Sequence, residues 1–278
     1  MPTLPLSANI SIMFTELPYL ARPAAARAAG FEHVESWWPF PEPATSGEQV
    51  DALVDALERA GVALSGLNFF GGDMPAGERG VACRPDRQQE LAVNIEQLVG
   101  IARRTGCRAF NLLYGQLDDR WSVAEQRDTA IQAVRAAASA VAKIDGTVLL
   151  EPLARGLNGS YPLVDGDDVI DLLEGPLRST PNVRLLFDLF HLGSNQVELV
   201  AAADRMAPWI GHVQLADSPG RGEPGSGDLP IEATVNALVA AGYRGMIAAE
   251  YRPTRPTGET LGWVDRLDSI RLNPAQPG

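Results

Sequence analysis

A chain of 278 residues with 45% hydrophobic side chains holds enough apolar mass for a sizeable core, which excludes a disordered protein. Its 23 basic and 35 acidic residues leave a net charge of −12. That balance speaks against a nucleic-acid or anionic-membrane surface, where clustered Lys and Arg are needed. Lys143 is the only lysine and follows the helical run SVAEQRDTAIQAVRAAASAVA, so Schiff-base and pyridoxal-phosphate chemistry are excluded as well.

In chain order, short apolar runs alternate with helical patterns from one end to the other. Strands are expected at 6–11, 33–37, 63–68, 108–113, 147–152, 183–189, 210–216 and 246–251. Most are near-continuous apolar runs, as parallel strands buried on both faces must be. Between them lie helical patterns such as GEQVDALVDALERAG, QQELAVNIEQLVGIARRTG and EATVNALVAAG, which stop in Gly before the next strand. Pro23 falls inside the first expected helix and should kink it. Eight such units predict a single (β/α)8 TIM barrel of the α/β class spanning the chain, with residues 268–278 a flexible tail. Two long loops, GGDMPAGERGVACRPDR after strand 3 and DSPGRGEPGSGDLP after strand 7, sit where barrels keep substrate contacts. GRGEPG (220–225) fits GxGxxG literally. Pro224 interrupts it and no helix opens directly after it, so it is rejected as a dinucleotide site.

The residues that end the strand runs carry the chemistry. Glu151, Asp188, Gln214 and Glu250 stand at or near the ends of strands 5 to 8, which in a barrel share one mouth. Any one acid could simply cap a helix or pair with Arg; four oxygen-bearing side chains in register weaken that reading. Three converging carboxylates need a counter-charge, and all-oxygen ligation points to Mg²⁺ or Mn²⁺. His191, just past strand 6, is placed to polarise a substrate oxygen. His212 shares the side of Gln214 by strand alternation, pointing towards the mouth or packing just beneath it, and is a second candidate for substrate contact. Arg221 and Arg79, in the two long loops, are candidate clamps for a substrate carboxylate, against a surface ion pair as the plainer reading. Trp37 and Trp38 either wall the pocket or pack under a loop.

The stretches SANISIMF, PAGERGVAC, GHVQLADSPGRGEPGSGD and AEYRPTRPTGETLGWV resemble the hydroxypyruvate isomerases, a branch of the xylose-isomerase-like barrels, from residue 6 to about residue 265. The resemblance implies that Glu151 and Glu250 are the acid/base pair and that Glu151, Asp188, Gln214 and Glu250 hold a divalent metal. Gln214, where the epimerases of the superfamily usually carry His, favours the hydroxypyruvate branch. Arg252, where the resemblance implies Lys, bears on anion recognition.

The expected activity interconverts hydroxypyruvate and tartronate semialdehyde. A 2-oxotetronate isomerase or ketose 3-epimerase is the neighbouring alternative, and a non-catalytic sugar-acid binding protein is the alternative from another class. An endonuclease of the same superfamily would need more histidines than His33, His191 and His212, and a basic face. Cys83 and Cys107 form no CxxC pair, and MPTLPLSANISIMF has no secretory pattern. A cytoplasmic protein is expected, with a small hydroxy-keto acid as partner, no membrane and no nucleic acid; a homo-oligomer is compatible.

Overall fold

Eight apolar runs become eight parallel strands because each is covered twice, by its neighbours in the barrel and by a helix outside it. The computed structural model describes residues 4–268. The strands are β1 (Leu6–Asn9), β2 (His33–Ser36), β3 (Ala63–Leu67) and β4 (Ala109–Asn111). They continue with β5 (Thr147–Leu150), β6 (Val183–Asp188), β7 (Ile210–Leu215) and β8 (Ile247–Ala249). They pair in sequence order, and β8 returns to β1 through Leu6↔Ile247 and Ala8↔Ala249, closing the barrel. Val34, Phe110, Val148, Leu185, Val213 and Ile247 are fully buried, one from each of six strands.

The helices are α1 (Arg22–Ala28), α2 (Gly47–Ala60), α3 (Gln88–Thr105), α4 (Val123–Ala142) and α5 (Gly166–Glu174). The short α6 (Leu189–Ser194) precedes α7 (Leu199–Met206), α8 (Ile231–Ala240) and α9 (Val264–Asp268). Their ends are written locally. Ser46 and Gln49 form a capping box on α2, whose C-terminus turns at Gly61 with φ 64°, a left-handed conformation that glycine takes without a Cβ clash. Pro23 does not kink α1. It is the helix's second residue, where its missing N–H has no intrahelical partner to lose. Lys143 caps the C-terminus of α4, before β5 begins and so away from the mouth. The expected tail beyond Asp268 lies outside the described residues.

The eight expected strands all occur, but several are shorter. β4 ends at Asn111 and β8 at Ala249, so Glu250 lies one residue beyond its strand. Its backbone still hydrogen-bonds back to Leu215 O at 2.9 Å, so its position is fixed by β7. Among the described residues no helix is long and apolar enough to cross a membrane.

Candidate active site

The C-terminal mouth of the barrel opens into a cavity of about 1590 Å³. Glu151, Glu250, His191, Arg79, Arg221, Arg252, Trp37 and Trp38 all line it. Asp188 and Gln214 are opposite each other in the β6–β7 register and lie fully buried just behind that wall. Each reaches its place by a local rule. Asp188 ends β6 and caps α6, its Oδ1 accepting the His191 N–H at 3.1 Å, so one carboxylate starts the helix that carries the histidine. Glu151 follows β5 directly, and its backbone carbonyl accepts the Tyr161 hydroxyl at 3.1 Å.

Burial, then the charges of Glu250 and Asp188, raise the Glu151 carboxyl well above the usual range. Burial likewise raises Asp188 and Glu250, although Arg221 opposes it in both. Glu151 Oε2 accepts from Asn111 Nδ2 at 2.6 Å. Glu250 Oε1 accepts from Asn9 Nδ2 at 3.1 Å and from the Trp37 indole N–H. Trp37 therefore holds a catalytic candidate as well as walling the cavity.

Among the described residues, four buried side-chain polar atoms lack a hydrogen-bond partner, and three are oxygens at this mouth: Asn111 Oδ1, Asp188 Oδ2 and Gln214 Oε1. Native proteins rarely leave such atoms orphaned without a functional reason. Two of the three belong to the ligand set expected from the sequence. Candidate ligand atoms of Glu151, Asp188 and His191 also lie within 4.8 Å of one another and could hold a metal ion. Arg221 pairs with two of the three crowded carboxylates, Glu250 and Asp188, and a divalent cation would balance the charge that remains. The donors fit a hard cation.

His191 is better suited to a different task. Its Nδ1 accepts the Ala154 N–H at 3.0 Å, and burial, then Arg221 and Arg79, hold its pKa well below the usual imidazole value. A neutral ring with Nδ1 as acceptor carries its proton on Nε2, which lies 3.6 Å from Glu151 Oε1. It presents an N–H donor to the cavity, as polarising a substrate oxygen requires.

His212 and Arg221 each engage a carboxylate of the protein itself. His212 does not line the cavity; its Nε2 lies 2.7 Å from Glu35 Oε2 in the barrel interior. Of the two depths open to it by strand alternation, His212 takes the lower one, packing beneath the mouth against Glu35. Glu35 Oε1 accepts from Gln214 Nε2 at 2.6 Å and from Asn9 Nδ2 at 3.1 Å. Since Gln214 gives its nitrogen downward to Glu35, its oxygen is the atom left over. Arg221 is not a free loop cation. Its NH2 lies 3.0 Å from Glu250 Oε2 and 3.7 Å from Asp188 Oδ2, its guanidinium carbon sits 5.3 Å over the centre of the Phe190 ring, and its φ of 59° is left-handed. Asp217 holds that loop by accepting the N–H groups of Ser218, Gly225 and Leu229 at 2.8–3.0 Å. Arg79 does reach the cavity, fixed by Asn158 Oδ1 at 3.2 Å and by the carbonyls of Met74 and Glu78.

Sequence reasoning missed Glu35, Asn9 and Asn111. Each is a polar residue inside a run otherwise read as a strand buried on both faces, and that conflict was the available signal.

Comparison with known proteins agrees with this geometry. The family model for the xylose isomerase-like TIM barrel matches residues 23–268. A Streptomyces coelicolor protein provisionally named hydroxypyruvate isomerase is 41% identical over 92% of this chain and 94% of its own. The hydroxypyruvate isomerase of Escherichia coli is 29% identical over 93% of this chain and 97% of its own. Among solved structures, one from Brucella melitensis titled AP endonuclease, family 2, superposes with a TM-score of 0.86 at 30% identity, covering 96% of this chain and 99% of that one. With the family model and near-full-length relatives in agreement, the chain belongs to the xylose isomerase-like TIM-barrel family, in its hydroxypyruvate isomerase branch, and is an enzyme of the isomerase class.

Proposed function

We propose that the enzyme interconverts hydroxypyruvate and tartronate semialdehyde by moving a proton between adjacent carbons through an enediolate. The observation that carries this is the pair of buried carboxylates, Glu151 and Glu250, on one cavity with pKa values raised by burial. A carboxyl shifted towards neutrality is suited to both taking and returning a proton. One glutamate removes the C–H proton from the hydroxyl-bearing carbon, and the other delivers a proton to the former carbonyl carbon. The hydroxyl proton passes between the two substrate oxygens, where the His191 Nε2–H donates. Trp37, Asn9 and Asn111 orient the two carboxylates, and the aromatic wall limits water at the reacting carbons.

Glu151, Asp188, Gln214 and Glu250 would hold a divalent cation, Mg²⁺ or Mn²⁺. When bound, it supplies stabilisation of negative charge developing on the substrate oxygens. The orphaned oxygens of Asp188 and Gln214 support that donor set. Arg221, against Glu250 and Asp188, tunes these carboxylates.

A second reading is favoured by the cavity itself, whose volume exceeds what a three-carbon acid fills. A Haemophilus influenzae relative, 29% identical over 94% of this chain, is named 2-oxo-tetronate isomerase, and a four-carbon acid would use the same groups. The nuclease reading finds no support in a chain of net charge −12 with three histidines. Assaying hydroxypyruvate, 2-oxotetronates and free ketoses, each with Mg²⁺ and with Mn²⁺, tests the proposal. Highest kcat/KM on hydroxypyruvate is expected; turnover of ketoses alone would overturn it.

A further inference from the structure

Five arginines line the cavity, and three of them are already occupied. Arg87 pairs with Glu78 at 2.7 Å and with Glu90 at 2.5 Å. Arg22 donates to the carbonyls of Leu17, Ile10 and Ser11. Arg221 lies against Glu250 and Asp188. Arg79 and Arg252 differ: among the described residues neither has a carboxylate within ion-pair distance. Arg79 is nonetheless held still. Its Nε and NH1 donate to Asn158, Met74 and Glu78, and among the described residues NH2 has no acceptor. Asn158 is itself fixed by the carbonyl of Ala154 at 2.9 Å. Arg252 gives its backbone N–H to Arg221 O at 2.7 Å, and among the described residues its side chain has no hydrogen-bond or ion-pair partner.

We propose that Arg79 and Arg252 together form the seat for the substrate's carboxylate, leaving Arg221 as the partner of Glu250. Two guanidiniums that line the same cavity without a carboxylate partner suit an anion, because each gains an opposite charge when one arrives. Both residues line the one cavity. After burial, the charges of Arg221 and Arg252 are what lower the pKa of Arg79. Arg79 is immobilised before binding, so little ordering is lost on capture, whereas Arg252 is free to close on the ligand. The pair would make the enzyme prefer hydroxy-keto acids over ketoses of the same length. This inference rests on the proposed function for the substrate's being an acid, and it locates the recognition of that acid away from the loop of Arg221.

The test uses Arg79→Met, Arg252→Met and Arg252→Lys in the full chain. Kinetics are measured on hydroxypyruvate and on dihydroxyacetone, its neutral counterpart with CH₂OH in place of the carboxylate. Binding of D-glycerate, an acid without a carbonyl, is measured by calorimetry. Each Met variant should raise KM for hydroxypyruvate and weaken D-glycerate by about tenfold or more, the loss expected for a hydrogen bond to a charged group. The kinetic constants for dihydroxyacetone should stay within about twofold, well below that charged-group loss, and Arg252→Lys should recover most of the affinity. Equal losses on the acid and its neutral counterpart, or no change in D-glycerate binding, would overturn the seat. If the wild type isomerises no acid, the functional reading fails by itself, and D-glycerate calorimetry still decides whether the two arginines bind a carboxylate. Arg252 is exposed, so its variants stay informative even if Arg79→Met folds poorly.

Discussion

Two polar layers sit one above the other in this barrel, and they obey different rules. The lower one, Glu35 with His212, Asn9 and the Gln214 nitrogen, gives both carboxylate oxygens of Glu35 a close donor. The upper one, Glu151, Asp188, Glu250 and the Gln214 oxygen, crowds three acids together and leaves two oxygens without partners. A buried polar group that is fully satisfied contributes to the fold; one left unsatisfied costs stability and is kept for something else. Gln214 belongs to both layers, its nitrogen spent below and its oxygen reserved above.

Removing a carboxylate should act oppositely in the two layers. Glu35→Ala strands His212 and the Gln214 amide nitrogen in the interior and removes one of two acceptors of the Asn9 amide, each loss at about 1–3 kcal/mol. Urea denaturation should therefore show a loss of roughly 3 kcal/mol or more. In the upper layer, Glu151→Gln and Glu250→Gln should each lower turnover by ~10²-fold or more at saturating Mn²⁺, the scale of a positioned acid/base group. In the metal-free protein neither should reduce the melting temperature, since each relieves charge crowding. Destabilisation by all three changes would erase the distinction.

The pH dependence should sharpen it. The folded-state pKa values of Glu151, Asp188 and Glu250 are raised by burial, so the folded state favours their protonated forms. Their contribution to stability is then complete below the ordinary carboxylate range and lost as pH rises through the raised values. Chelator-treated protein should melt at lower temperature as pH increases, and Mn²⁺ should reverse that slope. A flat profile in the chelated sample would contradict the crowding. The smallest effect is expected at Ser65, whose hydroxyl donates to Val34 O at 3.0 Å and meets Ser7 Oγ at 2.7 Å. Ser65→Ala should cost about 1 kcal/mol in the same denaturation experiment, with turnover unchanged.

The upper layer was legible in the sequence because Glu151, Asp188 and Glu250 interrupt apolar runs where those runs stop, and barrel topology brings such stops together. The lower layer was not. Whether His212 reaches the cavity depends on what stands in front of it, and Glu35 comes from a strand five units earlier in the barrel. Arg221 was legible as a loop arginine, yet its partner was not, since the left-handed turn that aims it at Glu250 is a property of the folded loop and its anchor at Asp217. Pro23 was misread because the start of α1 is set by the preceding turn.

On this reading the unsatisfied oxygens of the upper layer face a divalent cation needed for proton transfer. The most direct measurement is hydroxypyruvate isomerisation in a sample whose metal content has been removed and verified, followed by titration with Mn²⁺. Turnover should vanish on removal and return in proportion to about one bound Mn²⁺ per chain, as a Lewis-acid role requires. Full turnover in the verified metal-free enzyme would contradict it.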